Sequence, residues 1–301
     1  MAEDMQDARS DAATGVLLCA DDFAMTNGIS RAIIELAEAG RLSAVSAMTT
    51  TTHWPSHATW LARVRSQVSA GLHLNLTLGA PLGPMTKLAP GGTLPLIGEL
   101  TARSFAGTLD TAELAAEIER QIAAFEAELG FAPDHIDGHQ HVHALPRIRH
   151  VLLEVLSRRF PVPQARPLLR DPFESPARYF QRGLGLTKTA MLSCLTAGFG
   201  SQATRAGFAC NEGFGGVSAF APNRVAPDFA AACRHAGPRH LVMCHPGFVD
   251  EELTRIDPLR ARRQNEFDYL MGGRFPARIW RPCRSAIASR IAWRTDWAGS
   301  Q

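Results

Sequence analysis

Four of the eleven histidines in this 301-residue chain fall within nine positions, HIDGHQHVH at 135–143, with Asp137 among them. A buried imidazole needs a partner for at least one ring nitrogen, so packing alone explains such a density poorly and metal binding is the first reading. Three other groups stand at or near the ends of short apolar runs: Asp21-Asp22 in VLLCADDF, His73 in SAGLHLNLT and His245 in HLVMCH. One aspartate with two histidines makes a set of three protein ligands that leaves positions open for water and substrate.

Taken singly, each group has a plainer reading. Asp21 and Asp22 could cap the helix that follows them. His73 could be a core or surface histidine, and the 135–143 run a polar loop whose rings bond backbone carbonyls. His245, before Pro246, could be a turn residue. What favours a site is that all four follow apolar runs.

Those runs imply the elements that must position them. GVLLCADDF begins as a buried strand, and ISRAIIELAEAG then sets Ile29, Ile33, Leu36 and Ala37 on one helical face before Gly40. LSAVSAMTTTT, HWPSHATWLARVRSQ and SAGLHLNLT continue as strand, helix, strand. Asp110 and Glu113 open a helix with Leu114, Ile118, Ile122, Phe125 and Leu129 on its apolar side, stopped at Gly130 just before HIDGHQHVH. Such alternation predicts an α/β fold with a mainly parallel sheet, and the length favours one barrel-like domain over 15–301 behind a disordered tail at 1–14. Carboxyl ends of parallel strands converge on the ligand site, so groups remote in sequence can meet there. The Pro- and Gly-rich segment 79–100 reads as a long loop over the site, and 170–215 as an irregular insertion with some helix.

Composition narrows the function classes. With 46% hydrophobic residues, 20% charged residues and a formal net charge of +2, neither a polyanion partner nor an acidic tail is implied. Arginines at 274, 278, 281, 284, 290 and 294 make the C-terminal segment basic. Without a nucleic-acid module they read as a solvated face or a subunit contact, as in a homodimer. Six cysteines without a CxxC, an acidic polar start and no long apolar run suggest a reduced, soluble, cytoplasmic protein with no membrane partner.

The segments VLLCADDFAMTNGISRAIIELAEAGRLSAVSAMTTTT, VSAGLHLNLTLGAPL, PDHIDGHQHVHALPRI and LVMCHPGFVD resemble, in order, the signatures of the YdjC-type carbohydrate deacetylases, which include chitooligosaccharide deacetylases. The resemblance spans about residues 16–270. It implies a deformed (β/α) barrel of the polysaccharide-deacetylase type and removal of the acetyl group from an N-acetylated amino sugar. It also implies Asp21 as general base, Asp22, His73 and His139 as ligands of a divalent metal, and His245 as the acid. Arg166, in QAR, matches a family arginine near the site, with Arg170 close by. Two positions depart from the family pattern NADDFG: Cys19 and Ala24. Alanine at 24 would be disfavoured if that position needs a positive φ.

The residue types suit amide hydrolysis. A metal polarises the carbonyl and acidifies water, a carboxylate takes the water proton, and a protonated imidazole supplies the leaving amine. Two imidazoles and a carboxylate suit zinc, cobalt or manganese, whereas the resemblance points to magnesium; magnesium stands first and zinc is the alternative. Asp137 could hold a ligand imidazole, and His141 and His143 would share the face of His139 if the segment is extended. Two other functions fit the same residues: a metal-dependent amidohydrolase or phosphoesterase on a related barrel, and a sugar-binding relative without catalysis.

Overall fold

The computed structural model describes residues 15–183, 186–257, 259–284 and 291–292. The expected tail at 1–14 and the arginines at 290 and 294 lie outside the described residues. Seven strands form one sheet: β1 (Leu17–Phe23), β2 (Ala44–Ala47), β3 (Ser69–Leu74), β4 (His135–Gly138), β5 (Leu168–Leu169), β6 (Gly213–Gly215) and β7 (His240–Cys244). Their order is β5-β4-β3-β2-β1-β7-β6, and every neighbouring pair is parallel. All seven are buried along their length, which is why β1, β2, β3 and β7 read as short apolar runs.

The sheet curls until its edges meet. Leu169 of β5 forms a parallel bridge with Cys210, just before β6, and its N–H donates to Ala209 O at 2.9 Å. Asn211 fastens this seam: its side-chain oxygen accepts from Asp171 N at 2.7 Å, and its NH2 donates to Asp171 O and Gly213 O at 2.9 Å. The result is a deformed (β/α) barrel whose closure runs through a bridge and a side chain instead of a full ladder. The region read as an irregular insertion holds the helices Pro176–Arg182, Leu186–Thr196 and Phe199–Arg205 between β5 and β6.

The helix expected after Asp110 runs Thr111–Leu129, with Asp110 accepting from Ala112 N and Glu113 N and Gly130 left-handed at its end. Its apolar stripe is buried from Leu114 to Phe125, with Leu129 partly buried, and Glu117 and Gln121 are buried too. Gln121 accepts from Asn75 N and donates to Asn75 O, and Glu117 accepts from Leu82 N. Glu113 accepts from Lys87 N and Leu88 N. The long segment after β3 is therefore strapped to this helix until the helix Ile97–Ala106 begins. Of the basic C-terminal residues, Arg274 and Arg278 lie over the rings of Tyr269 and Trp280.

Candidate metal centre and active site

The site is assembled from five strand ends. At the end of β1, Ala20 pairs with Val45 but Phe23 with Ala47, so β1 carries an extra residue there. Asp22 sits inside that bulge with φ 67°. Successive strand residues ordinarily face opposite sides. The bulge breaks this alternation, and both carboxylates reach the same cluster. Ala24 does take the positive φ, 70°. Its N–H donates to Ser30 Oγ at 2.9 Å and its carbonyl accepts from Thr51 Oγ1 at 2.6 Å. These two bonds hold an alanine in a conformation that costs a non-glycine residue about 1–2 kcal/mol.

Asp22 Oδ1 faces two imidazoles, His139 Nδ1 at 2.9 Å and His73 Nε2 at 3.2 Å. His73 Nδ1 is held by Asp137 Oδ1 at 2.6 Å. One ligand atom from each of Asp22, His73 and His139 lies within 4.8 Å of the others. Burial pushes the Asp22 carboxyl up, but the Arg263 guanidinium and then His139 hold it well below the usual carboxylate range. Burial likewise pushes the His73 imidazole down, yet Asp137 outweighs it and raises the value to about 10.

Two other groups of three come as close together, Asp21 with His73 and Asp137, and Cys19 with His135 and Asp137. Their donors are already engaged. Asp21 accepts two 2.6 Å bonds from the Arg170 guanidinium, which also pairs with Asp137. Ser46 Oγ donates to Asp137 Oδ2 at 2.6 Å and lies 3.0 Å from His135 Nε2. Burial raises the Cys19 thiol far from thiolate, so it offers no ligand charge. Asp22, His73 and His139 are the better fit to a divalent cation: two imidazoles, one carboxylate oxygen, and a second carboxylate orienting a ring from behind.

Asp21 stands beside that cluster. His245 Nε2 is 3.9 Å from Asp21 Oδ2, outside hydrogen-bond reach, with its ring edge-on to Phe220. Behind it, His245 N donates to Glu266 Oε2 at 2.6 Å.

The remaining histidines of HIDGHQHVH do not share the face of His139. The chain leaves the extended conformation after Gly138 and turns through a 3-10 segment, His139–Ala144, with φ 53° at Gln140 and 61° at His141. Gly138 permits the turn, because a Cβ there would lie 3.1 Å from His143 N, His143 Nδ1 and Leu74 O. His143 points into the core and donates from Nε2 to Arg170 O at 2.7 Å, steadying the arginine that binds Asp21. Burial and then Arg170 push the His141 imidazole well below its ordinary value, so it is neutral. Its ring meets Phe214 edge-on, and its Nδ1 has no hydrogen-bond partner among the described residues.

Arg166 stays outside the cluster: it donates to Phe160 O and Ala206 O and stacks over Phe208. The arginine of the site is Arg170, which follows β5 directly as strand-end residues must. Arg263 and Glu266, in the helix Arg260–Met271, were not picked out by sequence. Of that highly charged helix, RARRQNEFDYLM, Arg262, Arg263 and Glu266 are buried.

The sequence profile described as YdjC-like protein matches residues 15–280. The chain belongs to the YdjC-like family. Chitooligosaccharide deacetylase of Yersinia pestis bv. Antiqua (strain Angola) is 31% identical over 246 residues, covering 79% of this chain and 83% of that protein. Its counterpart in Yersinia pseudotuberculosis serotype O:1b (strain IP 31758) matches with the same identity and coverage. Among solved structures, a protein from Enterococcus faecalis V583, provisionally assigned to cellobiose-phosphate cleavage, superposes with TM-score 0.62 at 20% identity. That match covers 86% of this YdjC-like chain and 90% of the other, a likeness of fold.

Proposed function

We propose that this YdjC-like protein is a metal-dependent carbohydrate N-deacetylase acting on a small N-acetylated amino sugar or short chitooligosaccharide-like chain. The observation that carries the reading is the convergence of Asp22, His73 and His139 beside an Asp21 whose two oxygens are held by Arg170, with His245 across from it. The Yersinia relatives named chitooligosaccharide deacetylase support the substrate class. A divalent cation held by Asp22, His73 and His139 would supply Lewis acidity toward the acetyl carbonyl.

The chain's own residues account for the proton movements. Asp21, oriented by the two bonds from Arg170, accepts a proton from the water that attacks the acetyl carbon. The C–N bond then breaks, with a proton from His245 passing to the nitrogen, because an amine leaves poorly as an anion. Acetate and the free amine are the products. Asp137 keeps the His73 ring turned to Asp22, and Ser46 and Arg170 hold Asp137 in turn.

The test is acetate release from N-acetylated chitooligosaccharides before and after chelation, with magnesium or zinc restored separately. Release that stops with chelator and returns with one ion supports the reading and identifies the metal. Full activity in chelator, with no metal bound, would remove it. The two imidazoles weigh toward zinc and the family likeness toward magnesium. A non-catalytic sugar binder is disfavoured because both proton-transfer groups, Asp21 and His245, stand at the cluster.

A further inference from the structure

Resting on the metal-dependent reading above, we propose that the helix Arg260–Met271 is a two-point clamp. In it, Arg263 leaves the ligand carboxylate of Asp22 one oxygen for the cation, and Glu266 fixes the backbone that carries His245; both are positioning residues.

The two oxygens of Asp22 have different partners. Oδ1 faces His73 and His139, whereas Oδ2 accepts from Arg263 Nη2 at 2.6 Å. The guanidinium is itself oriented, since Nε donates to Asp257 Oδ2 at 2.6 Å and Nη2 lies 2.5 Å from the same oxygen. A planar fork bound at two atoms cannot swing, so Oδ2 is occupied and Asp22 is presented through Oδ1 alone. Asp22, Asp257 and Arg263 together carry a net negative charge, which complements a cation.

Residues three apart share a helical face. Glu266 therefore reaches the same end of the barrel. Its Oε2 accepts from His245 N at 2.6 Å, while Oε1 accepts from Arg262 Nε at 2.6 Å, and Arg262 Nη1 donates to Asp228 at 2.9 Å. Gly247 N donates to Arg263 O at 3.2 Å, so the loop after β7 is tied to the clamp helix at a second point. Arg262, Arg263 and Glu266 are 3%, 1% and 1% exposed. Burying three charges in one helix is expensive, and well-packed apolar residues would hold a helix at least as well. What apolar residues could not do is present one carboxylate oxygen to a cation and one charged acceptor to a backbone N–H.

The two contacts act on different steps, which makes the clamp testable on the full chain. Zinc affinity is measured by competition with a chelating dye, alongside kcat, KM and melting temperature, for Arg263→Lys, Arg263→Met, Glu266→Ala and Glu266→Gln. Arg263→Met is expected to weaken zinc binding about 10- to 100-fold, the range for losing an outer partner of a ligand, with Arg263→Lys between it and the parent. Glu266→Ala is expected to lower kcat by about 10- to 100-fold through displacement of His245, with zinc affinity and KM unchanged. Glu266→Gln, which keeps an acceptor oxygen, should recover most of that loss. If zinc affinity and kcat fall together in all variants in proportion to melting temperature, the helix is ordinary scaffolding and the clamp is overturned. Parent-like zinc binding in both Arg263 variants overturns it as well; if Arg263→Met does not fold, Arg263→Lys decides. A parent protein that takes up no zinc, magnesium or manganese removes the metal reading and the clamp together, whereas a parent that binds metal without the crossed pattern removes the clamp alone.

Discussion

Replacing Arg170 with methionine removes the cation shared by Asp21 and Asp137 while keeping a side chain of similar length. Arg170 is 0% exposed and makes two 2.6 Å bonds to Asp21 in addition to its pairing with Asp137. The variant leaves two buried carboxylates without a guanidinium, with His73 2.6 Å from Asp137 and His245 3.9 Å from Asp21. Breaking one buried pair costs about 3–5 kcal/mol, a large part of the roughly 5–15 kcal/mol that holds a domain folded. At about 2–4 °C per kcal/mol for a domain approaching this size, melting should fall by roughly 6–20 °C.

The loss should depend on pH. Burial pushes the Asp137 carboxyl up, but Arg170 and then His73 hold it far below the carboxylate range. A depressed folded value contributes stability that is present above the unfolded value, about 3.9, and is lost as pH falls through the depressed one. Without Arg170, burial weighs more heavily on Asp137, its carboxyl rises and it can shed its charge by taking up a proton. The gap between variant and parent is therefore widest at neutral pH and narrows as pH drops toward and into the carboxylate range. Urea unfolding at several pH values, reporting both midpoint and slope, measures this directly. A loss below about 1 kcal/mol, or one that stays constant with pH, would refute the claim that Arg170 is the charge keystone of the site.

Four further outcomes follow from the same geometry. Asp21→Asn should abolish acetate release while leaving metal occupancy nearly unchanged; loss of metal with activity would contradict its separation from the ligand set. His245→Ala should cut turnover of an N-acetyl substrate by about 10² to 10⁴ and that of an O-acetyl sugar by less, since an alkoxide needs a proton less than an amine does; equal losses on both would take His245 out of the acid role. Asp137 raises His73 to about 10, so a cation binding there must displace a proton; calorimetry in buffers of different ionisation enthalpy should show proton release, with affinity tightening as pH rises toward that value. Asn211→Ala removes two hydrogen bonds across the barrel seam and one to Gly213 O, and should cost about 2–3 kcal/mol in urea unfolding without altering metal affinity.

The sequence by itself indicated the elements of the N-terminal half and the positions of most candidate site groups. Short apolar runs alternating with helical patterns fit strands buried on both faces, and polar residues at the ends of such strands lie at the rim of a parallel sheet. That logic pointed to Asp21, Asp22, His73 and His245, histidine density after the Gly130 stop pointed to His139, and the Asp110 and Gly130 signals bounded a helix because caps are local chemistry. Tertiary structure decided everything that depends on contact between distant segments. Whether the sheet closes rests on Leu169 meeting Cys210 and on the side-chain amide of Asn211, neither of which has a periodic signature. His141 and His143 left the face of His139 because His139 is followed by two left-handed residues, Gln140 and His141, and backbone handedness at non-glycine positions is set by the surrounding packing. Arg170 displaced Arg166 as the site arginine because β5 ends at Leu169, a boundary fixed by its bridge across the seam. Arg263 and Glu266 were illegible for a related reason. A charged helix segment looks solvated until the carboxylate and the backbone N–H that it pairs with, 241 and 21 residues away, are folded against it.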